Sequence, residues 1–226
     1  MQATWSDWDW AAAEPSFRRA IDLNPSYADA RAFYAHYLHI MKRPGEAMTQ
    51  IQRATELDPL SPSIQALYAG NLVWARRYDE AIVQARNALR TVPANAVALT
   101  QLETAFYETK RYEEALAVAK TRWTNRVGPE IEEALNRGYA EGGYQGAMRR
   151  AADMVAARWP ALYTNPRAVA AAYLRAGQNE QALEWLERAY ELHDPNMPYM
   201  DLGPSWDVVR DHRRFRDLLR RMKLPN

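Results

Sequence analysis

The chain has 226 residues, 48% of them apolar and 25% charged, which is enough apolar material for a sizeable core. Its formal net charge of +1 excludes the strong basic bias of a protein whose main task is to grip phosphates, and its lack of cysteine excludes disulfide staples, thiolate metal sites and a thiol nucleophile. No apolar run approaches the roughly 18 to 20 residues of a membrane span, and residues 1–10 lack the basic start and apolar core of a secretory signal. The sequence therefore reads as that of a soluble, cytoplasmic protein.

A repeat organises the chain. Ala13, Ala20 and Pro25 recur at a spacing of 34 as Ala47, Ala54 and Pro59, and at the same spacing again as Ala81, Ala88 and Pro93. The alanine returns as Ala115, then as Ala147 and Ala182 at spacings of 32 and 35. A period near 34 signals a solenoid of paired helices, which is one continuous stack and counts as one domain.

The first repeat unit, residues 1–25, holds only the second helix of a pair, over residues 7–23, with Trp10, Ala13, Phe17, Ala20 and Ile21 on one face. Its missing partner is expected either because the chain is cut from a longer polypeptide or because the array starts on a half-repeat, with Trp5 and Trp8 covering the open end. Repeats over residues 26–59, 60–93 and 94–127 follow. The first of these places helices at 27–41 and 45–57 with Pro44 in the turn, and the next uses Ser61 as a cap with Pro62 after it. Ala35 and Ala47, then Ala69 and Ala81, fall where two helices must cross closely. The fourth keeps Leu102, Phe106, Tyr112, Ala115 and Ala119, then loses the pattern at Arg122, where Ala20, Ala54 and Ala88 stood.

The fifth repeat, residues 128–160, is irregular. Gly142-Gly143 breaks it, and Trp159-Pro160 ends its return helix because proline disfavours a helical residue before it. The sixth, residues 161–195, is regular, with Ala170, Tyr173, Ala182, Leu186 and Ala189 facing inward across a turn at Gly177. Residues 193–205, with Pro195, Pro198, Gly203 and Pro204, are expected to form an extended connector, and residues 206–210 one helical turn. A last helix over 213–222 carries the stripe Phe215, Leu218, Leu219 and Met222. Residues 207–226 have a net charge of +4, but a cap on the last repeat with its arginines in water is favoured over a membrane or nucleic acid contact.

This pattern resembles the tetratricopeptide repeat family, whose motif has small residues at positions eight, twenty and twenty-seven and proline at thirty-two. Ala35, Ala47, Ala54 and Pro59 match it in one repeat, and Ala69, Ala81, Ala88 and Pro93 in the next. Tyr78 and Tyr112 match its aromatic at position seventeen, while Arg31, Gln65 and Leu99 stand where it has tryptophan. The implied fold is all-α: a right-handed α-solenoid of about five and a half hairpins with a C-terminal cap over residues 196–226. Narrower segments are similar to the tetratricopeptide tail of bacterial multidomain regulators, cyclases and kinases. These include Gly138-Tyr139-Ala140-Glu141-Gly142-Gly143-Tyr144, His193-Asp194-Pro195-Asn196 and residues 182–190 and 215–222. That likeness implies a sensory or docking module.

The resemblance also implies a concave groove lined by the first helix of each hairpin. Its candidate lining is His36, His39 and Ile40, then Ala66, Gly70 and Trp74, then Thr100, Thr104 and Tyr107. Such a wall suits an extended segment or helix that buries its own apolar side chains. The floor is also explained by a tightly coiled superhelix, or by another part of the polypeptide filling it. No cations stand where some relatives clamp a terminal carboxylate: Ala32, His36, Ala66, Gly70, Thr100 and Thr104 are found there. His36 and His39 lack the further ligands zinc needs, so no metal or other cofactor is expected.

No phosphate loop, nucleophile elbow or paired-histidine zinc helix is present, and the acidic pairs Asp79-Glu80, Glu113-Glu114 and Glu132-Glu133 suit helix starts. The reading is therefore a non-catalytic scaffold that binds a protein or peptide. The alternatives are a small-molecule or signal-peptide sensor using the same groove, and a module that self-associates through exposed Trp5 and Trp8.

Overall fold

A computed structural model describes residues 8–159, 161–162 and 164–225. Among the described residues there are α-helices and two short 3-10 turns, with no strand. The helices are α1 (Trp10–Leu23), α2 (Ala28–Ile40), α3 (Pro44–Leu57), α4 (Pro62–Trp74), α5 (Tyr78–Thr91) and α6 (Ala96–Glu108). They continue as α7 (Tyr112–Val127), α8 (Glu130–Arg158), α9 (Pro166–Arg175), α10 (Asn179–Glu191) and α11 (Arg213–Arg221). Successive helices pack as antiparallel hairpins, and each hairpin stacks on the next, which is an all-α solenoid.

The periodic alanines lie at the seams. Ala13, Ala47, Ala54, Ala81, Ala88, Ala115, Ala147, Ala182 and Ala189 are buried, whereas Ala20 on α1 is half-exposed. Pro25, Pro59 and Pro93 sit in exposed turns. The first three complete hairpins also share a turn. Lys42, Arg76 and Lys110, which keep the same period, adopt left-handed φ of 58°, 59° and 62°. The next residue then closes back on the first helix, with Arg43 N–H donating to Leu38 O, Arg77 to Leu72 O and Arg111 to Phe106 O, each at 2.8 Å. This is the pattern that satisfies the last carbonyls of a helix. The same arginines bind Glu46, Glu80 and Glu114 on the helix that follows.

Helix α8 is kinked at Gly142-Gly143, where Gly143 has φ 60°, so it acts as two antiparallel helices. Their crossing is closed by glycine: a Cβ on Gly138 would stand 2.3 Å from the Gly146 carbonyl oxygen. Only residues without side chains let two backbones approach this closely. Trp159 turns extended, with ψ 139°, as a residue before proline requires.

Two expectations need correction. Residues 193–205 are not extended: Met197–Asp201 and Pro204–Trp206 are 3-10 turns, each with proline in its first turn. Burial drives this, since Met197, Met200, Trp206 and Val209 are all inside. Nor is Trp8 exposed. It is 8% accessible and stacks on Tyr190 at 4.9 Å and His193 at 5.1 Å, at the other end of the chain. Trp5 lies outside the described residues. The Trp10 indole donates to Met222 O at 2.8 Å, so α1 meets the turn after α11. Helix α11 lays Phe215, Leu218, Leu219 and the following Met222 inward, and its Arg214 pairs with Glu180 and Glu187 on α10.

Candidate functional site: the inner wall and its occupant

The first helices of the hairpins, α2, α4 and α6, pack side by side and form one wall of the stack. The structure gathers three of its predicted residues into one cluster. His36 lies 4.7 Å and His39 5.1 Å from the Trp74 ring, both edge-on. Ile40, Ala66 and Gly70 are buried on the same two helices. The α6 positions fall elsewhere. Tyr107 packs with Tyr112 and Tyr144. The Thr100 and Thr104 hydroxyls donate to carbonyls of their own helix, both at 2.8 Å. The wall is thus an aromatic-histidine cleft on α2 and α4, with a separate tyrosine cluster further along.

Burial pushes both His36 and His39 down to about 4, so both rings are neutral at ordinary pH. His36 Nε2 lies 3.3 Å from Leu67 O, and its Nδ1 lies 3.4 Å from the Tyr199 hydroxyl. Among the described residues, no group of three or more histidines or acids is placed to hold a metal ion.

The connector lies in this cleft. Tyr199 stacks on Trp74 at 5.7 Å and meets His36 edge-on at 5.6 Å. Asp201 pairs with Lys42 and with Arg210, and Asp207 pairs with Arg76 at 2.5 Å. From the other side Arg167 donates to Tyr199 O and covers the Trp206 ring at 5.1 Å. The wall positions were readable from the period. The occupant was not, because its contacts join residues as far apart as Lys42 and Asp201 and repeat nowhere.

A second buried cluster also escaped the sequence reading. Glu103 is fully buried and takes hydrogen bonds from Arg122 Nε at 2.5 Å, Tyr144 OH at 2.7 Å and Arg175. Burial alone would raise its carboxyl pKa, but the two guanidinium groups outweigh it and hold the group below the usual range. Arg175 also donates to Thr104 at 2.6 Å, which ties α9 to α6. The available signal was the loss of small residues in the fourth repeat: Glu103 stands one full repeat after Ala69, as Arg122 stands one full repeat after Ala88.

Comparison with known proteins agrees with this architecture. Residues 6–70 match the family model described as tetratricopeptide repeat. Among solved structures it is similar to PilW, a widely conserved type IV pilus biogenesis factor. The TM-score is 0.58 and the identity 16%, over 92% of this chain and 94% of that one. MamA aligns with a TM-score of 0.48 and 12% identity, over 83% of this chain and 91% of that one. No curated protein matches the sequence. The fold is that of a protein-interaction scaffold, and among the described residues no helix is long and apolar enough to cross a membrane.

Proposed function

We propose that this chain binds a protein partner by receiving a peptide segment against the α2–α4 wall, without catalysis, as a docking or sensory module of a larger bacterial regulatory protein in the cytoplasm. One observation supports this reading above the others: the wall already accommodates a short peptide segment, the chain's own Tyr199 with Asp201, by ring contact and ion pairing. A surface that accepts one such segment has the chemistry to accept another.

Selection of a displayed peptide library on the full chain tests it. Peptides that bind the wild type and lose at least about tenfold in affinity on a Trp74→Ala, Tyr107→Ala variant are expected, since buried aromatics carry most of the energy of such contacts. Failure to select any peptide, or equal binding to the folded variant, overturns the reading. End-to-end self-association is a weaker reading, because Trp8 is already covered by Tyr190 and His193.

A further inference from the structure

Residues 199–207 are held on their two sides by different chemistry. Toward the C-terminal hairpins the grip is mainly by rings: Trp206 lies 6.4 Å from Phe215 and beneath Arg167. Toward the N-terminal hairpins it is the Tyr199 ring, stacked on Trp74 and edge-on to His36, with two ion pairs, Asp201 with Lys42 and Asp207 with Arg76. Arg76 and Asp207 have side chains 59% and 41% exposed, so water competes for that pair. Beside Tyr199, Arg167 Nε is buried without a partner, a cost the closed arrangement carries. The Trp206 anchor on one side and the hydrated Arg76–Asp207 pair on the other favour opening from that pair.

The cations of that seam are periodic. Lys42 and Arg76 are the left-handed residues that end the first helix of successive hairpins, and the next hairpin places Lys110 in that same position. Lys110 is exposed and, among the described residues, makes no ion pair. The connector runs from Lys42 toward Arg76 and supplies a carboxylate to each of these two but none to the third.

We propose that the ladder Lys42–Arg76–Lys110, together with the cleft between His36 and Trp74, is the docking edge for an acidic peptide carrying an aromatic ring. Residues 199–207 are its resident occupant and give way when the partner binds. This deepens the function proposed above and rests on it. The partner's advantage is a further carboxylate for Lys110, and its handicap is the fraction of chains in which the seam is closed.

The probe is a labelled synthetic peptide with the sequence of residues 197–210, followed by fluorescence anisotropy on the full chain. Two variants break the same ion pairs from opposite sides: Asp201→Asn, Asp207→Asn frees the cations, and Lys42→Ala, Arg76→Ala removes them. The first is expected to bind the peptide about tenfold more tightly than wild type, as removal of a competing closed state does, and the second to gain nothing. A peptide extended at its C-terminus by two aspartates is expected to bind the first variant more tightly still, and to lose that gain on Lys110→Ala. Circular dichroism and melting confirm that each variant is folded. Equal gains in both pairs of variants, no gain in either, or no effect of the aspartate extension overturns the proposal. If those failures occur while the displayed library still yields Trp74-dependent peptides, the groove reading survives and only the resident-occupant proposal falls. If no peptide of either kind binds, both fall.

Discussion

Glu103 and Arg122 occupy two positions that hold alanine in both preceding hairpins, and they are bonded to each other at 2.5 Å within one hairpin. A close crossing built from two methyl groups has been replaced by a buried ion pair, with Tyr144 and Arg175 completing the hydrogen bonds of the carboxylate. The exchange lets α9 dock where a repeat of strict alanines would offer no polar partner.

Breaking that pair from one side strands charge. Arg122→Ala is expected to destabilise the fold by about 3 kcal/mol, the lower end for a broken buried pair, because Arg175 still neutralises Glu103. Glu103→Ala combined with Arg122→Ala restores the alanines of the neighbouring repeats and is expected to cost less than the sum of the single changes. Urea unfolding of the three variants checks this.

Glycine at the α8 crossing gives a sharp contrast. Gly138→Ala forces a methyl group into the Gly146 carbonyl and is expected to cost about 1 to 3 kcal/mol, as overpacking does. Gly142→Ala, one turn further on, meets open space and is expected to be near neutral. Thermal melting of both variants decides whether backbone approach or general flexibility sets the requirement.

Acid should loosen the wall. His36 and His39 are pushed down to about 4 by burial, against an ordinary value of 6.5. Between those values the unfolded chain binds protons that the folded chain refuses, so stability rises with pH across that window and is complete above it. Glu14 works lower. Burial opposes its ionisation, but hydrogen bonds from Arg43, Arg18 and Tyr34 bring it to about 2, so its contribution is present above 4.5 and fades toward 2. Melting temperature measured between pH 7 and pH 4 is expected to fall less steeply in a His36→Gln, His39→Gln variant than in the wild type.

The Trp10–Met222 bond gives a separate test. Trp10→Phe keeps the ring but leaves the Met222 carbonyl buried without its donor, at about 1 to 3 kcal/mol. Hydrogen exchange is expected to speed up in both α1 and α11, though they are the first and last helices among the described residues. Faster exchange in α1 alone would mean that the two ends do not support each other.

Part of this architecture was legible in the sequence. Ala47, Ala81 and their equivalents could be read because close helix crossings exclude larger side chains, so one physical demand repeats at a fixed interval. The positions of His36, His39 and Trp74, which the structure gathers into one cluster, followed from the same phase. Tyr199 and Asp201 did not, because a segment that docks once leaves no period, and its prolines read as breaks rather than as turns driven inward by Met197 and Trp206. Trp8 was misjudged for a related reason. An aromatic ring near a terminus looks uncovered until the chain is seen to curve far enough for Tyr190 and His193 to reach it.

The contact between Trp10 and Met222 changes how the molecule should bear load. A row of stacked hairpins with loose ends behaves as a spring, and under tension it yields one unit at a time from either tip. Here the two tips are latched together, so neither is free to peel until the latch gives. Stretching from both termini should therefore show an initial rupture at the clasp followed by unravelling, where an open spring would show only a staircase of small equal steps.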